Sequence, residues 1–418
     1  MFKTLDILNT NELMYTILAI MLLLLFSYLG GKLFEKIKAP KVVGEIFGGM
    51  ILGNSCLFLL FPNIMDKIFF SFSEEGKILN IFYQLGLIFL MFLSGFNTNL
   101  NIQKKDFKNQ SLLFIGATII PMILALPFIN FFINDFIGIA NNNNSFILVF
   151  CIATAITSIP VISKIFFDLG IMNTNFSNMV LTVSTIQDLI LWILLNLAIS
   201  FVEIGEFNLK SFIFITISTV SLLILTKLLQ IILNKINFKL KKNIYIISFI
   251  VLFSLIFVLS KININIMYSS FIAGYIMSIL IKNENNEEIA NLKSFSFSFF
   301  IPIYFALVGI QLDVINNFNI LRFISFFIIA FGLEFIGVIF LLQFTNLKKL
   351  SKINMAIVFN ARGGPGIVLA TTAYNYNIIN LEFFTILILL TMLSSSIAGY
   401  WLRYVKKIDK DIFIKINK

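Results

Sequence analysis

Apolar runs separated by short polar segments recur along almost the whole chain. A run of about 17 to 25 predominantly apolar residues is long enough to cross a bilayer as a helix. Such runs predict an all-α polytopic membrane protein with about thirteen transmembrane helices. Their approximate extents are 12–34, 43–61, 79–98, 110–134, 145–168, 175–202, 209–235, 243–260, 264–282, 295–313, 318–344, 352–374 and 380–404.

Composition supports a membrane protein and excludes a soluble domain. Of the 418 residues, 59% are hydrophobic and only 12% are charged, with a mean hydropathy of +0.96. The first apolar run is too long for a signal segment and has no small-residue cleavage site after it, so we expect it to remain as a helix. We treat residues 1–418 as one transmembrane domain with no soluble regulatory domain.

The net charge of +10 does not come from a patch that would bind nucleic acid. Basic residues are concentrated in alternate loops, which by the positive-inside rule places the N-terminus outside and the C-terminus in the cytoplasm. An odd number of spans requires the same arrangement, and we expect a multi-pass protein of the plasma (inner) membrane. The basic positions are Lys36, Lys38, Lys41, Lys104, Lys105, Lys108, Lys235, Lys239, Lys241, Lys242, Lys348, Lys349, Lys352, Arg403, Lys406, Lys407 and Lys410.

A carboxylate lies near the middle of the sixth predicted span, where Asp188 follows Gln187. An ionisable group at bilayer depth carries an insertion penalty of a few kcal/mol and by default faces a protein interior on an ion or proton pathway. Asp188 is therefore the first candidate for the working residue.

Two predicted spans contain helix-breaking sequences. The fifth carries Thr154, Thr157 and Ser158 ahead of Pro160, and the twelfth carries Arg362 within Asn360–Gly366. Interruptions in corresponding positions of two halves indicate a transporter site built from inverted repeats, where hydroxyls and freed carbonyls can coordinate a cation. Taken alone, such a break is usually only a kink or a close-packing point, and Arg362 is also consistent with a structural counter-ion.

Other chemistries are excluded by the residues present. The chain has no histidine, so imidazole metal sites and Ser-His or Cys-His nucleophiles are ruled out. Cys56 and Cys151 lie within or beside apolar spans and imply no disulfide framework. No Walker A pattern or dinucleotide fingerprint is present, which argues against ATP-driven transport and against a cytoplasmic nucleotide sensor. We expect neither an enzyme nor a cofactor.

Several segments, taken in order, resemble the cation:proton antiporter 2 family. The resemblance covers nearly the whole chain, and the joint order of the motifs is more specific than any one of them. The matching segments are Val43–Phe47 with Gly48, Gly49 and Gly53, Phe92–Phe96, Thr154–Pro160, Asp168–Gly170, Gln187-Asp188, Pro302–Phe305 with Gly309 and Asp313, and Arg362-Gly363.

The resemblance implies a thirteen-helix inverted-repeat fold like that of sodium/proton antiporters, with two broken helices crossing at mid-membrane. It also implies a core bundle of helices that moves against a dimerising scaffold, hence a homodimer. Asp188 would bind the cation and the proton in alternation. Gln187 is typical of the Kef-type potassium branch, so it favours potassium over sodium and electroneutral exchange.

The eleventh span departs from the family pattern. Many members carry a lysine three positions before a glycine, whereas this chain has Glu334 before Gly337. A glutamate cannot pair with the essential aspartate. We therefore predict that Glu334 either joins the site as a second titrating group or is neutralised by Arg362.

The function expected from these observations is exchange of a monovalent cation, K⁺ or Na⁺, for protons by alternating access. Asp188, Gln187, Thr154, Thr157 and Ser158 would bind the ion and proton, with the cation at Asp188, Thr154 and Ser158. Only the occupied carboxylate would cross the membrane, because an empty buried charge meets the insertion penalty. That penalty couples the movement of the cation to that of the proton. A sodium-coupled symporter of an organic anion and a non-transporting membrane sensor remain as alternatives.

Overall fold

The structure is a computed structural model. It describes residues 8–37, 39–97, 106–172, 174–204, 243–262, 264–281 and 287–408, with single positions between 217 and 232. The seventh predicted span, 209–235, lies outside the described residues apart from those single positions. The statements below concern the described ranges.

The described chain is helical, apart from one isolated β-bridge between Ile137 and Ile379. Nine helical segments of the described chain, several of them made of consecutive helices, are long and apolar enough to cross a membrane. Two shorter apolar helices accompany them. The helices of the first part are α1 (Thr10–Lys36), α2 (Lys41–Leu52), α3 (Leu57–Leu60), α4 (Pro62–Phe69), α5 (Glu75–Phe96), α6 (Phe107–Phe114), α7 (Ile120–Ala125), α8 (Ile129–Phe136), α9 (Asn143–Ala155), α10 (Ile159–Asp168) and α11 (Asn175–Ile204).

The later helices complete the polytopic arrangement. Outside the seventh, every predicted span coincides with a helix or with consecutive helices. The second and tenth predicted spans each contain two helices, because a turn follows Leu52 and another separates Ser298 from Phe300. The later helices are α12 (Ile244–Ser260), α13 (Ile266–Ile281), α14 (Glu287–Ser298), α15 (Phe300–Ile310), α16 (Ile320–Leu342), α17 (Lys349–Phe359), α18 (Gly363–Asn375) and α19 (Leu381–Ile408).

The contacts divide the chain into two compact units. One comprises residues 1–90 and 291–316, and the other comprises residues 91–290 and 317–418. In the first unit α1, α2 and α15 pack closely because glycines let the backbones approach. A Cβ at Gly49 would overlap the carbonyl of Ala306, and one at Gly44 would overlap that of Gly30.

The second unit holds the two broken spans. The fifth predicted span consists of α9 and α10, separated by extended backbone at Ile156 (φ −81°, ψ 133°) and Ser158 (φ −120°, ψ 104°). The twelfth consists of α17 and α18, where Gly363 has a φ of 43°. Both breaks predicted from the sequence are confirmed.

The fourth predicted span has an irregular centre. A π-helical segment, Ile115–Ile119, joins α6 to α7, and a 3₁₀ segment, Leu126–Phe128, joins α7 to α8. Pro121 has no N–H to donate to the carbonyl four residues earlier, which belongs to Ala117. That carbonyl is therefore available to another partner at the centre of the unit.

Candidate functional site

The two breaks meet each other. The N–H of Ser158 donates to the carbonyl of Ala361 at 2.7 Å, and the hydroxyl of Thr157 donates to the carbonyl of Phe359 at 2.7 Å. A Cβ at Gly363 would overlap the side chain of Ser158. Glycine is therefore required at position 363 for two reasons, its positive φ and this close approach.

The point where the two breaks meet is called the crossing. Arg362 occupies it and is 1% exposed. Its Nε donates to the carbonyl of Ala153 at 3.2 Å, and its Nη2 to those of Thr154 at 3.5 Å and Ala330 at 3.0 Å. Its Nη1 donates to the carbonyl and the side-chain oxygen of Asn360 at 3.2 and 3.1 Å. The guanidinium thus satisfies carbonyls at the C-terminal ends of α9 and α17, where helix dipoles favour a cation.

Glu334 lies on α16 and is fully buried. Its Oε2 accepts from Nη2 of Arg362 at 3.1 Å, and its Oε1 lies 3.3 Å from the hydroxyl of Thr157. Of the two roles predicted for Glu334, the geometry matches neutralisation by Arg362. Glu334 reaches the crossing because its helix packs tightly at Gly337, where a Cβ would overlap the carbonyl of Gly116.

Asp188 lies on α11 and is 1% exposed. Within the described residues, neither of its carboxylate oxygens has a hydrogen-bond partner. A charge buried without a partner is costly, so a carboxylate in this position is stable when it holds a proton or a cation. This is the environment that a binding site for either ion requires.

Gln187 connects α11 by hydrogen bonds to α9 and to the π-helical segment. Its Nε2 donates to the carbonyl of Ala155, at the end of α9, and to that of Ala117 at 3.1 Å. The first carbonyl is freed by the break in the helix, and the second by Pro121. The amide nitrogen of Gln187 is therefore used in positioning, and only its Oε1, which lacks a hydrogen-bond partner in the described part of the chain, remains for an ion.

The three predicted hydroxyl ligands are all fully buried, and each already takes part in a hydrogen bond. Thr154 donates to the carbonyl of Cys151 at 2.8 Å, and the Ser158 oxygen accepts from the N–H of Val161 at 3.4 Å. Thr157 lies between Glu334 and α17, as described above. The structure brings Thr157 and Ser158 to the crossing. The helix that carries Asp188 is linked to the break after α9 through the hydrogen bond of Gln187 to Ala155.

Two further oxygens were missed by the sequence reasoning. The hydroxyls of Ser184 and Thr118 are buried and lack a hydrogen-bond partner among the described residues. Ser184 lies one helical turn before Asp188, so the i, i+4 spacing of two polar residues in an apolar helix was a usable signal. Thr118 lies in the π-helical segment beside Ala117, and no sequence signal indicated that it would be near the site.

The candidate ligands are oxygens, which suit a hard cation such as Na⁺ or K⁺. They include one unpaired carboxylate, Asp188, whose single charge matches a monovalent ion or a proton. In the described ranges, no group of three or more His, Cys, Asp and Glu side chains is placed to hold a metal ion. The donors are therefore of the kind that bind a monovalent cation or a proton.

Known proteins are similar to this chain over most of its length. The family model described as "Sodium/hydrogen exchanger, transmembrane" matches residues 20–407. The chain is 26% identical over 405 residues to the Na(+)/H(+) antiporter NhaS4 of Synechocystis, covering 94% of this chain and 97% of that protein. It is 26% identical over 388 residues to K(+)/H(+) antiporter 1 of Saccharomyces cerevisiae, covering 87% of this chain and 43% of that protein.

A solved structure shares the fold. The sodium proton antiporter MjNhaP1 from Methanocaldococcus jannaschii superposes with a TM-score of 0.67 at 17% sequence identity. The superposition covers 94% of this chain and 98% of that one. The antiporter-like fold expected from the sequence is confirmed.

Proposed function

The chain belongs to the sodium/hydrogen exchanger family, and on that premise we propose how it exchanges a monovalent cation for protons across a membrane. The protein is a transporter and not an enzyme. The proposal concerns the residues that bind the two ions, the cation that is carried, and the arrangement in the membrane.

Asp188 is the residue at which cation and proton compete. The observation that carries this assignment is the burial of its carboxylate with neither oxygen hydrogen-bonded within the described residues. Oxygens of Ser184, Gln187, Thr154 and Ser158 supply further ligands as the site changes conformation. Because the carboxylate holds either a proton or a cation but not both, one ion must leave before the other binds.

Coupling follows from the cost of an empty site. The carboxylate with a proton or a cation is neutral overall, whereas the empty carboxylate is a bare charge away from water. Insertion scales give about 2.5–3.5 kcal/mol for a charged side chain at the membrane centre. A penalty of this size reduces movement of the empty site by a factor of roughly 10², and exchange rather than uniport results.

Arg362 and Glu334 act as supporting charges. They form an ion pair at 3.1 Å, and the guanidinium also donates to the carbonyls of Ala153 and Asn360, one at each helix end. We assign them a structural role, which is to keep the two breaks in contact, whereas Asp188 binds the ions.

The carried cation is sodium or potassium. Relatives named as antiporters for each ion match this chain at similar identity. Gln187 before Asp188 supports the Kef-type branch and potassium, as the sequence predicts. The proposed setting is a homodimer in the plasma membrane, with the N-terminus outside, the C-terminus in the cytoplasm, and a core of helices moving against a scaffold.

The test is exchange in liposomes that contain the purified protein and an internal pH dye. Adding sodium, potassium or lithium outside should drive protons out through the wild type for at least one cation. The Asp188→Asn variant should show no such flux. A folded wild type that moves no protons with any of the three cations would overturn the proposal and favour uptake of an organic solute.

A further inference from the structure

One face of α11 carries a row of buried polar atoms that the exchange mechanism has not used. Beyond Asp188, this face continues with Trp192 and Asn196, each one helical turn further on. These side chains are 3% and 1% exposed, respectively. In the described part of the chain, the indole Nε1 of Trp192 and the amide Nδ2 of Asn196 have no hydrogen-bond partner.

Leaving these donors unsatisfied is costly. A buried polar group without a partner loses about 1–3 kcal/mol relative to one that is hydrogen-bonded. Buried water is the usual partner when the protein supplies none. Two such donors on consecutive turns, leading to an unpaired carboxylate, indicate that water occupies this face.

The row continues to the end of the helix through a chain of hydrogen bonds. The side-chain oxygen of Asn196 accepts from the N–H of Asn265 at 2.7 Å. The amide of Asn265 then donates to the hydroxyl of Tyr376 at 3.2 Å. Burial, followed by the negative charge of Glu203, raises the pKa of Tyr376, so its hydroxyl keeps its proton at the half-buried end of the row.

The two flanks of Asp188 differ in chemistry. On a helix with about 100° per residue, Ser184 and Gln187 lie about 40° and 100° to one side of Asp188. Trp192 and Asn196 lie about 40° and 80° to the other side. The first flank offers unpaired oxygens, Ser184 Oγ and Gln187 Oε1. The second offers unpaired N–H groups, which donate to the oxygen of water and cannot coordinate Na⁺ or K⁺.

We propose that the Trp192–Asn196 face holds a line of water that carries protons between Asp188 and the Tyr376 end, while the cation binds on the Ser184–Gln187 flank. The inference rests on the proposed exchange at Asp188. The water beside Asp188 gives one proton to its carboxylate, which becomes a neutral acid, and each water along the line takes a proton from the next. A proton from solvent at the Tyr376 end replaces the one given, so that every water of the line is restored. The line spans about 12 Å from Asp188 to Asn196.

The first test separates proton delivery from cation binding. Trp192→Phe keeps an aromatic ring and removes the N–H donor. It should lower the maximal exchange rate without changing the cation concentration that gives half the maximal rate. Trp401→Phe is the matched control, because its indole donates to Asn354 at 2.9 Å outside this face. An unchanged maximal rate in Trp192→Phe, or a changed half-saturating concentration, would overturn the proposal.

The second test does not depend on transport. In a chain carrying Cys56→Ala and Cys151→Ala, the Asn196→Cys variant should react with a small water-soluble thiol reagent. Leu197→Cys is the control, since Leu197 is also buried at nearly the same depth but about 100° round the helix from Asn196, on the side away from Asp188. We expect a ratio of reaction rates of at least about tenfold, equivalent to 1.4 kcal/mol.

Equal labelling of the two folded variants, or no labelling of Asn196→Cys, would overturn the hydrated face. The two failures can be told apart. If the wild type exchanges no cation while the labelling contrast is present, the proposed function is wrong and the hydrated face stands. If exchange is present and the contrast is absent, only the hydrated face is wrong.

Discussion

Removal of Arg362 should destabilise the protein more than removal of its partner Glu334. In Arg362→Met, Glu334 becomes a buried charge without its counter-ion, which costs about 3–5 kcal/mol. In Glu334→Gln, the guanidinium keeps its four backbone carbonyl acceptors, on Ala153, Thr154, Ala330 and Asn360. Only the charge-assisted part of one hydrogen bond is lost, about 1.5–3 kcal/mol.

The assay is the free energy of unfolding of the purified protein, measured by denaturant titration in mixed micelles. Arg322→Met is the matched control. Arg322 also pairs with two carboxylates, those of Asp135 and Glu382, each at 2.7 Å, but its side chain is 36% exposed. Exposed pairs contribute about 0–1 kcal/mol, so this variant should lose much less stability than Arg362→Met.

A double variant tests the physical reason. Combining Arg362→Met with Glu334→Gln removes both charges, so it should be more stable than Arg362→Met alone. The reasoning is refuted if Arg362→Met is no less stable than Arg322→Met. It is also refuted if the double variant loses the full sum of the two single losses, because the two side chains would then be energetically independent.

Three further predictions concern positioning and packing. Gln187→Met leaves two backbone carbonyls without a donor and should cost about 1–3 kcal/mol as well as lower the exchange rate, both measured on the same preparation. Gly337→Ala should lower the free energy of unfolding by about 1–3 kcal/mol, because the added Cβ overlaps the Gly116 carbonyl. Gly332→Ala on the same helix is the control, since no atom lies within 4 Å of its added Cβ, and it should not destabilise the protein. Ser184→Ala should raise the half-saturating cation concentration without loss of stability, and an unchanged value would remove this hydroxyl from the ligand set.

The breaks and the carboxylate could be predicted from the sequence because their causes are local. Pro160 cannot continue a helical hydrogen-bond pattern, and Gly363 with Pro365 interrupts the twelfth span in the same way. Asp188 stands out because an apolar helix does not carry a charge without a reason. In each case the free-energy cost, of a lost helical hydrogen bond or of a buried charge, is set by the residue and its neighbours in sequence.

The partners of these groups could not be predicted in the same way. Gln187 bonds to carbonyls that are 70 and 32 residues away in sequence, and Arg362 reaches Ala153 across 209 residues. Such contacts depend on how helices pack, which hydropathy does not record. Ser184 is an intermediate case, since its spacing from Asp188 was visible but its unsatisfied hydroxyl was not.

Competition between proton and cation at Asp188 is the central claim, and the dependence of cation affinity on pH tests it most directly. In liposomes, the half-saturating cation concentration should rise in proportion to the proton concentration on the same side, over the range where the carboxylate is protonated. The maximal rate at saturating cation should stay constant. A half-saturating concentration that does not change with pH, together with a maximal rate that falls as protons are added, would contradict competition at one carboxylate.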